Sequence, residues 1–416
     1  MFFYQLTSTR FAIYVAAFAL SVVYMWLPFA VNFVLLSSDY FLKLAFMTLF
    51  SLVSMLLGYY LPLLDKRFNP GVMRLVISAN TVHVLVWTVF LSFLFITLYT
   101  APAIPLLSAV MGASGEELSA QRGAFLKGRV GAEMALIYVS TIFVSAFLPY
   151  SLARMFIDGH RWRYVLLLVF FAYSLSFLQK ALFLNALLPL FYVAAQKRKI
   201  SLTAALSIAV ACAILLYVVT LLSMGTESVD GTVVSGGVFS PEFYSAKYLP
   251  SGPIDHLVWR VVAVPMFTAS DTLVVLKEQF ANQPLLGATS SFISSLFSIE
   301  RVPLEKLVFE YEWGWNETAN SNAVFFTEGY ANFGWWGVWF YSFFVGQSFR
   351  WFKRSEDHAF RALWMIYFLG LFTGGLIGTL LSNGYILMFA ACLFLRVRPS
   401  SESRRKKILV GRNEPV

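Results

Sequence analysis

A chain of 416 residues that is 59% hydrophobic, 18% aromatic and only 13% charged has too little polar surface to clothe a soluble globule. Its net charge of +9 is not a nucleic-acid signature, because the basic residues fall in short runs between apolar stretches instead of covering one folded surface. The two cysteines, Cys212 and Cys392, both lie inside apolar stretches and indicate neither a disulfide framework nor a metal site.

This composition predicts an all-α polytopic membrane protein. Crossing roughly 30 Å of hydrocarbon takes about 20 apolar residues per helix, and on that template about ten spans are predicted. They cover 11–36, 40–64, 72–99, 130–152, 164–178, 181–195, 201–223, 334–349, 361–381 and 383–396. The fifth and sixth are short and read as a tight hairpin with Gln179-Lys180 at its tip. Pro28, Pro62 and Pro149 are expected to kink or end spans, and Gly370, Gly374 and Gly378 to form a packing stripe. Asn80 and His83 read as a satisfied pair between helices.

Orientation follows from the short connections, since lysine and arginine are retained on the cytoplasmic side. Arg10, Lys66-Arg67, Arg161, Lys197-Arg198-Lys199, Lys353-Arg354 and the tail Arg404-Arg405-Lys406-Lys407 all fall on one side, which puts both termini in the cytoplasm. The chain then divides into spans 1–100, a first outer loop 101–129, spans 130–223, a large outer loop with a polar lip 224–333, spans 334–396 and a basic tail 397–416.

Between 224 and 321 the chain carries 11 acidic and 5 basic residues. Residues 254–264 form an apolar stretch with Arg260 embedded, read as an interfacial helix ending at Pro265, and a second helix is predicted to start at Thr268 and run to Phe280. Arg260 has two readings. It is either an ion-pair partner of Asp255 or Asp271, or it gathers with Arg122, Arg129 or Lys127, and Lys180 to hold an anionic lipid head group. The loop closes on Asn316-Glu317-Thr318-Ala319-Asn320-Ser321-Asn322, followed by Glu328-Gly329-Tyr330-Ala331-Asn332-Phe333-Gly334-Trp335-Trp336-Gly337. Carboxylates and carboxamides crowded beside a span are costly unless a polar substrate or a wet cavity meets them.

The last motif, together with Glu117-Leu118-Ser119-Ala120-Gln121-Arg122-Gly123 and Arg260-Val261-Val262-Ala263-Val264-Pro265, resembles the Wzy-type O-antigen and oligosaccharide repeat-unit polymerases. The resemblance implies a GT-C-like enzyme of a bacterial inner membrane with its site facing the periplasm. Such an enzyme transfers a growing glycan from one undecaprenyl diphosphate carrier to a new lipid-linked repeat unit, in company with membrane lipids and a separate chain-length regulator. That chemistry needs a base, for which Glu328 comes first, then Glu317, Asp271 and His256. It needs cations for the departing diphosphate, the role offered to Arg260, Arg122, Lys180 and Arg129. Sugars would be held by Asn320, Asn322, Tyr330 and Asn332 and stacked on Trp313 or Trp315, although most aromatics in such a chain mark the membrane interface. No Asp-x-Asp pair lies in either outer loop, so neither metal nor cofactor is expected. The related alternatives are an O-antigen ligase and a lipid-linked oligosaccharide flippase, the latter disfavoured by the absence of a repeated half. A scaffold would not need polar groups concentrated on one lip.

Overall fold

The computed structural model describes residues 7–61, 74–126, 134–176, 178, 180–196, scattered positions between 203 and 221, 237–314 and 320–399. It is an α-helical membrane protein. Among the described residues, five helices are long and apolar enough to cross a bilayer: α1 (Ala12–Val34), α2 (Asp39–Tyr60), α3 (Ala79–Thr100), α4 (Ala135–Asp158) and α7 (Pro253–Phe280). Between α4 and α7 lie the shorter apolar helices α5 (Arg163–Ser176) and α6 (Lys180–Gln196), joined at Leu178 in a left-handed turn as the predicted hairpin requires. After α7 come α8 (Ser291–Phe297), α9 (Leu304–Trp313), α10 (Phe325–Arg354), α11 (Trp364–Thr373), α12 (Leu376–Leu381) and α13 (Tyr385–Phe394). Most of the span predicted at 201–223 lies outside the described residues.

Pro28 and Pro149 act by a shared device, and Pro62 lies outside the described residues. Proline removes a backbone donor and clashes with the carbonyl four residues earlier, and π-turns precede both sites, at Val22–Trp26 and Phe143–Phe147. Each displaced carbonyl is met from another helix: Thr48 Oγ1 donates to the Tyr24 oxygen at 2.8 Å, and the Tyr385 hydroxyl donates to the Ser145 oxygen at 3.3 Å. Pro265 behaves differently from expectation. The chain does not break there; Pro253–Phe280 is one helix, and Thr268, expected as a cap, donates its hydroxyl back to the Val264 oxygen at 2.7 Å. Its buried face from Ala263 to Leu276 holds it continuous through tertiary packing.

Two of the predicted spans end differently. Residues 75–78 are a strand, β1 (Leu75–Ser78), pairing in parallel with β2 (Leu395–Arg398), so α3 starts at Ala79 and the last helix stops at Phe394. The predicted span at 361–381 is broken, with α11 ending at Thr373 and α12 starting at Leu376. The break divides the glycine stripe: Gly370 lets α12 come close, since a β-carbon there would lie 3.3 Å from the Thr379 hydroxyl, whereas Gly374 sits at the break and nothing approaches Gly378. The close helix crossing lies elsewhere, between α2 and α10. Gly58 sits against the Phe343 carbonyl and Gly346 against the Met55 carbonyl, and Ser51 and Ser342 share a hydrogen bond of 2.7 Å. His83 pairs not with Asn80 but with Ser151, Nδ1 to Oγ 2.8 Å, a hydroxyl that the Trp87 indole N–H also reaches.

Candidate functional site

The polar motif forms a re-entrant element instead of a lip. Residues 320–324 enter the bundle extended, with the Ala323 N–H donating to the Thr373 oxygen. The Phe326 ring packs edge-on to Tyr24, whose hydroxyl donates to the Phe372 oxygen at 2.5 Å. Because Tyr24 and Thr48 occupy the middle of α1 and α2, this segment reaches membrane depth. The first part of α10, 325–332, then climbs to the start of α2, where Lys43 lies 4.5 Å over the Tyr330 ring. At Phe333-Gly334 the chain reverses, and from Trp335, which meets Phe50 edge-on, it descends beside α2 to Arg350, whose guanidinium donates to the Tyr59 oxygen at 2.8 Å. Non-helical backbone at this depth is tolerated where it is buried in protein or lines a cavity.

Each small residue of the motif has its own reason. Gly334 has φ 61° and ψ −146°, a conformation essentially reserved for glycine. Gly329 and Gly337 face each other across the reversal with no room for a β-carbon on either. Asn332, fully buried, clasps the 285–289 turn: its Nδ2 donates to the Thr289 hydroxyl at 2.8 Å and to the Glu328 oxygen at 3.0 Å, while Oδ1 accepts from the Gly287 N–H at 3.0 Å. Asn332 thus acts as a structural clasp and does not line the cleft that Glu328 borders.

Glu328 stands in the first turn of α10. Its Oε2 accepts a hydrogen bond of 3.2 Å from the Ile377 N–H at the start of α12, and Gly375 lets it approach, since a β-carbon there would fall 2.6 Å from the carboxylate. Glu328 also borders a cleft of about 550 Å³ between α10, α12 and the turn before α9. Asn320 and Asn322 line the same cleft, and so do Arg301, Glu305 and Lys306. One predicted acid and two predicted sugar ligands thus meet.

The other candidates are distributed differently. Tyr330 is occupied by Lys43 and Trp335, and Trp313 stacks on Phe309 with centroids 4.4 Å apart and leans on Phe267. Neither borders the cleft. Arg260 is exposed on α7 and Asp271 is half-buried further along it, both outside the cleft lining. Their charges converge on Glu312 of α9, whose carboxyl is pushed up to about 9 by burial first and by Asp271 second, against the Ser321 hydroxyl and Arg260. His256 lies against Trp259 on α7. The backbone of Arg122 belongs to a helix at Gly115–Leu126 and that of Lys180 begins α6. Glu317, Trp315, Lys127 and Arg129 lie outside the described residues.

Arg301, Lys306 and Glu305 at the cleft and Glu312 beside Arg260 are not singled out by any sequence motif. The one signal for Arg301 is compositional, since it and Arg260 are the two arginines of the acidic segment 224–321. No protein-family model matches the chain, and comparison with curated proteins and with solved structures finds no match. The fold and cleft define a helical membrane protein with a re-entrant half-helix that carries a carboxylate to a polar cavity.

Proposed function

We propose that the chain is a glycosyltransferase that joins lipid-diphosphate-linked oligosaccharide repeat units, working at a cleft open to the outer face of a bacterial inner membrane. The observation that carries this reading is the meeting of Glu328 with Arg301, Lys306, Asn320 and Asn322 around one cavity. In the proposed reaction the Glu328 carboxylate takes the proton of an acceptor sugar hydroxyl. The oxygen attacks the anomeric carbon of the donor, and the bond to the diphosphate breaks. Arg301 and Lys306 supply the charge that the leaving diphosphate needs, a role in which losing one well-aimed group costs about 2.7 to 4 kcal/mol of barrier. Asn320 and Asn322 offer the mixed donors and acceptors that sugar hydroxyls require. The bond from Ile377 fixes the orientation of the carboxylate, as a base in a cavity needs.

In this proposal the partners are the undecaprenyl diphosphate-linked donor and acceptor, membrane lipids and a chain-length regulator, and both termini stay cytoplasmic on the distribution of lysine and arginine. The test is a gel of surface polysaccharide from cells deleted for this chain. Collapse of a ladder to core plus a single repeat supports the polymerase. Bare core points instead to a ligase or flippase, and an unchanged ladder refutes the reading.

A further inference from the structure

At the other end of α2 from Lys43 and Tyr330, the bundle holds a second cavity, of about 1050 Å³, where α3, α4, α10, α13 and the two strands converge. Arginines from four separate places point to it: Arg74 before β1, Arg154 of α4, Arg350 and Arg354 of α10, and Arg396 and Arg398 of β2. Two carboxylates, Glu356 and Asp357, share the lining, which leaves an excess of four positive charges (six minus two). Asp357 is engaged already, since Arg154 pairs with it at 3.4 Å and the Tyr150 hydroxyl donates to it at 2.6 Å, and Asp158 takes the other side of Arg154. Among the described residues Arg74, Arg396 and Arg398 meet no carboxylate at ion-pairing distance.

A basic run on the cytoplasmic side of a membrane protein ordinarily needs only its topology as explanation. Here the strand pairing adds something that topology does not ask for. Val76 aligns with Arg396 and Ser78 with Arg398, so the sheet sets the backbone of both arginines, two residues apart on one face of β2, beside a hollow that both line. The far wall is apolar, made by Val82, Leu85, Val86, Phe147 and Met388. Leu85, 64% exposed on the outer flank of α3, brings that wall to the lipid-facing surface.

We infer that this cavity is a binding site for an anionic phospholipid of the adjacent leaflet, its phosphate held by Arg74, Arg396 and Arg398 and the start of its chains lying along the apolar wall. Guanidinium forks suit phosphate oxygens because they bind them bidentately. The volume far exceeds what an inorganic phosphate fills, and the apolar wall has no use for one. The site is independent of glycosyl transfer.

The test is native mass spectrometry of the full chain, delipidated in detergent and titrated with phosphatidylglycerol or phosphatidylcholine, with inorganic phosphate as competitor. Wild type is expected to retain phosphatidylglycerol and not phosphatidylcholine. Arg74→Ser/Arg396→Ser/Arg398→Ser should weaken retention on the order of a hundredfold through the loss of direct charge-assisted bonds to the phosphate, whereas the matched charge loss Arg10→Ser/Arg161→Ser/Lys353→Ser, at residues that do not line the cavity, removes only screened attraction and should leave it within about threefold. Monodisperse elution checks folding, and Arg398→Ser alone, at the exposed end of β2, replaces the triple variant if that fails. Equal retention of phosphatidylcholine, or equal loss in the matched control, overturns the inference. So does displacement of the lipid by millimolar phosphate, which would mark a site for a soluble anion.

Discussion

Gly329 and Gly337 stand back to back across the reversal at Gly334, so close that a β-carbon on either would strike the other's carbonyl oxygen. In a continuous helix, residues eight apart are separated by about 12 Å along the axis. Their contact therefore defines the re-entrant hairpin that carries Glu328 to the cleft.

Substitution at this crossing should cost stability first. Gly337→Ala forces the two segments apart, and Gly334→Ala places a side chain in a glycine-only conformation, each at about 1 to 3 kcal/mol or more. Thermal unfolding in detergent should show both variants melting earlier than wild type. Wild-type melting in both would mean that the chain does not reverse at this point.

Asn332 and Asn320 belong to one motif region and should respond differently. Asn332→Ala strands buried donors and acceptors of the 285–289 turn, at about 1 to 3 kcal/mol, and is expected to lower the melting temperature. Asn320→Ala, in the cleft lining, should leave melting unchanged and raise the KM for the lipid-linked acceptor. A reversed pattern would return Asn332 to the sugar-binding role.

Arg301 and Arg260 separate in the same way. Arg301→Ala is expected to lower kcat by about 10² to 10³, because Arg301 borders the cleft. Arg260→Ala removes a charge facing Glu312 and is expected to have the smaller effect on turnover. Single-turnover transfer by the two purified variants distinguishes them, and a larger loss from Arg260→Ala would move the diphosphate site to α7.

Glu312 gives a pH signature. Its carboxyl is raised from 4.5 to about 9 in the folded chain by burial and then by Asp271, so between those values the folded state holds a proton that the unfolded state has released. Stability from this group is therefore fully present below about pH 4.5 and is lost as pH rises towards 9. Glu312→Gln, which keeps the Ser321 partner and cannot ionise, should flatten the fall in melting temperature between pH 5 and 9. An unchanged slope would remove Glu312 as its source.

The class of the fold was legible because apolar length is a one-dimensional signal: α1 and α2 lie close to the predicted spans, α3 and α4 overlap theirs with one or both ends displaced by five to seven residues, and the short hairpin turns at Leu178. Pro265 was misread because local backbone chemistry predicts a break, while the buried face of α7 overrides it. The strand at Leu75–Ser78 depends on a partner about 320 residues away, beyond any local window. Glu328, Asn320 and Asn322 stand out in the sequence because polar groups beside a span demand a reason, and the fold brings all three to one cleft. Asn332 carried the same signal for a different reason, since a buried carboxamide bonded to a turn and one facing a cavity look alike in sequence. Arg301 and Lys306 reach the cleft through the fold of 285–304, which no periodicity reveals.

The most direct test of the central claim is elongation by purified protein in detergent, supplied with an undecaprenyl diphosphate-linked repeat unit, comparing wild type with Glu328→Gln at matched melting temperature. The account predicts chain extension by wild type and loss of extension in the variant, with binding of the lipid-linked donor retained. Extension by Glu328→Gln at the wild-type rate would contradict it and remove Glu328 from the chemistry.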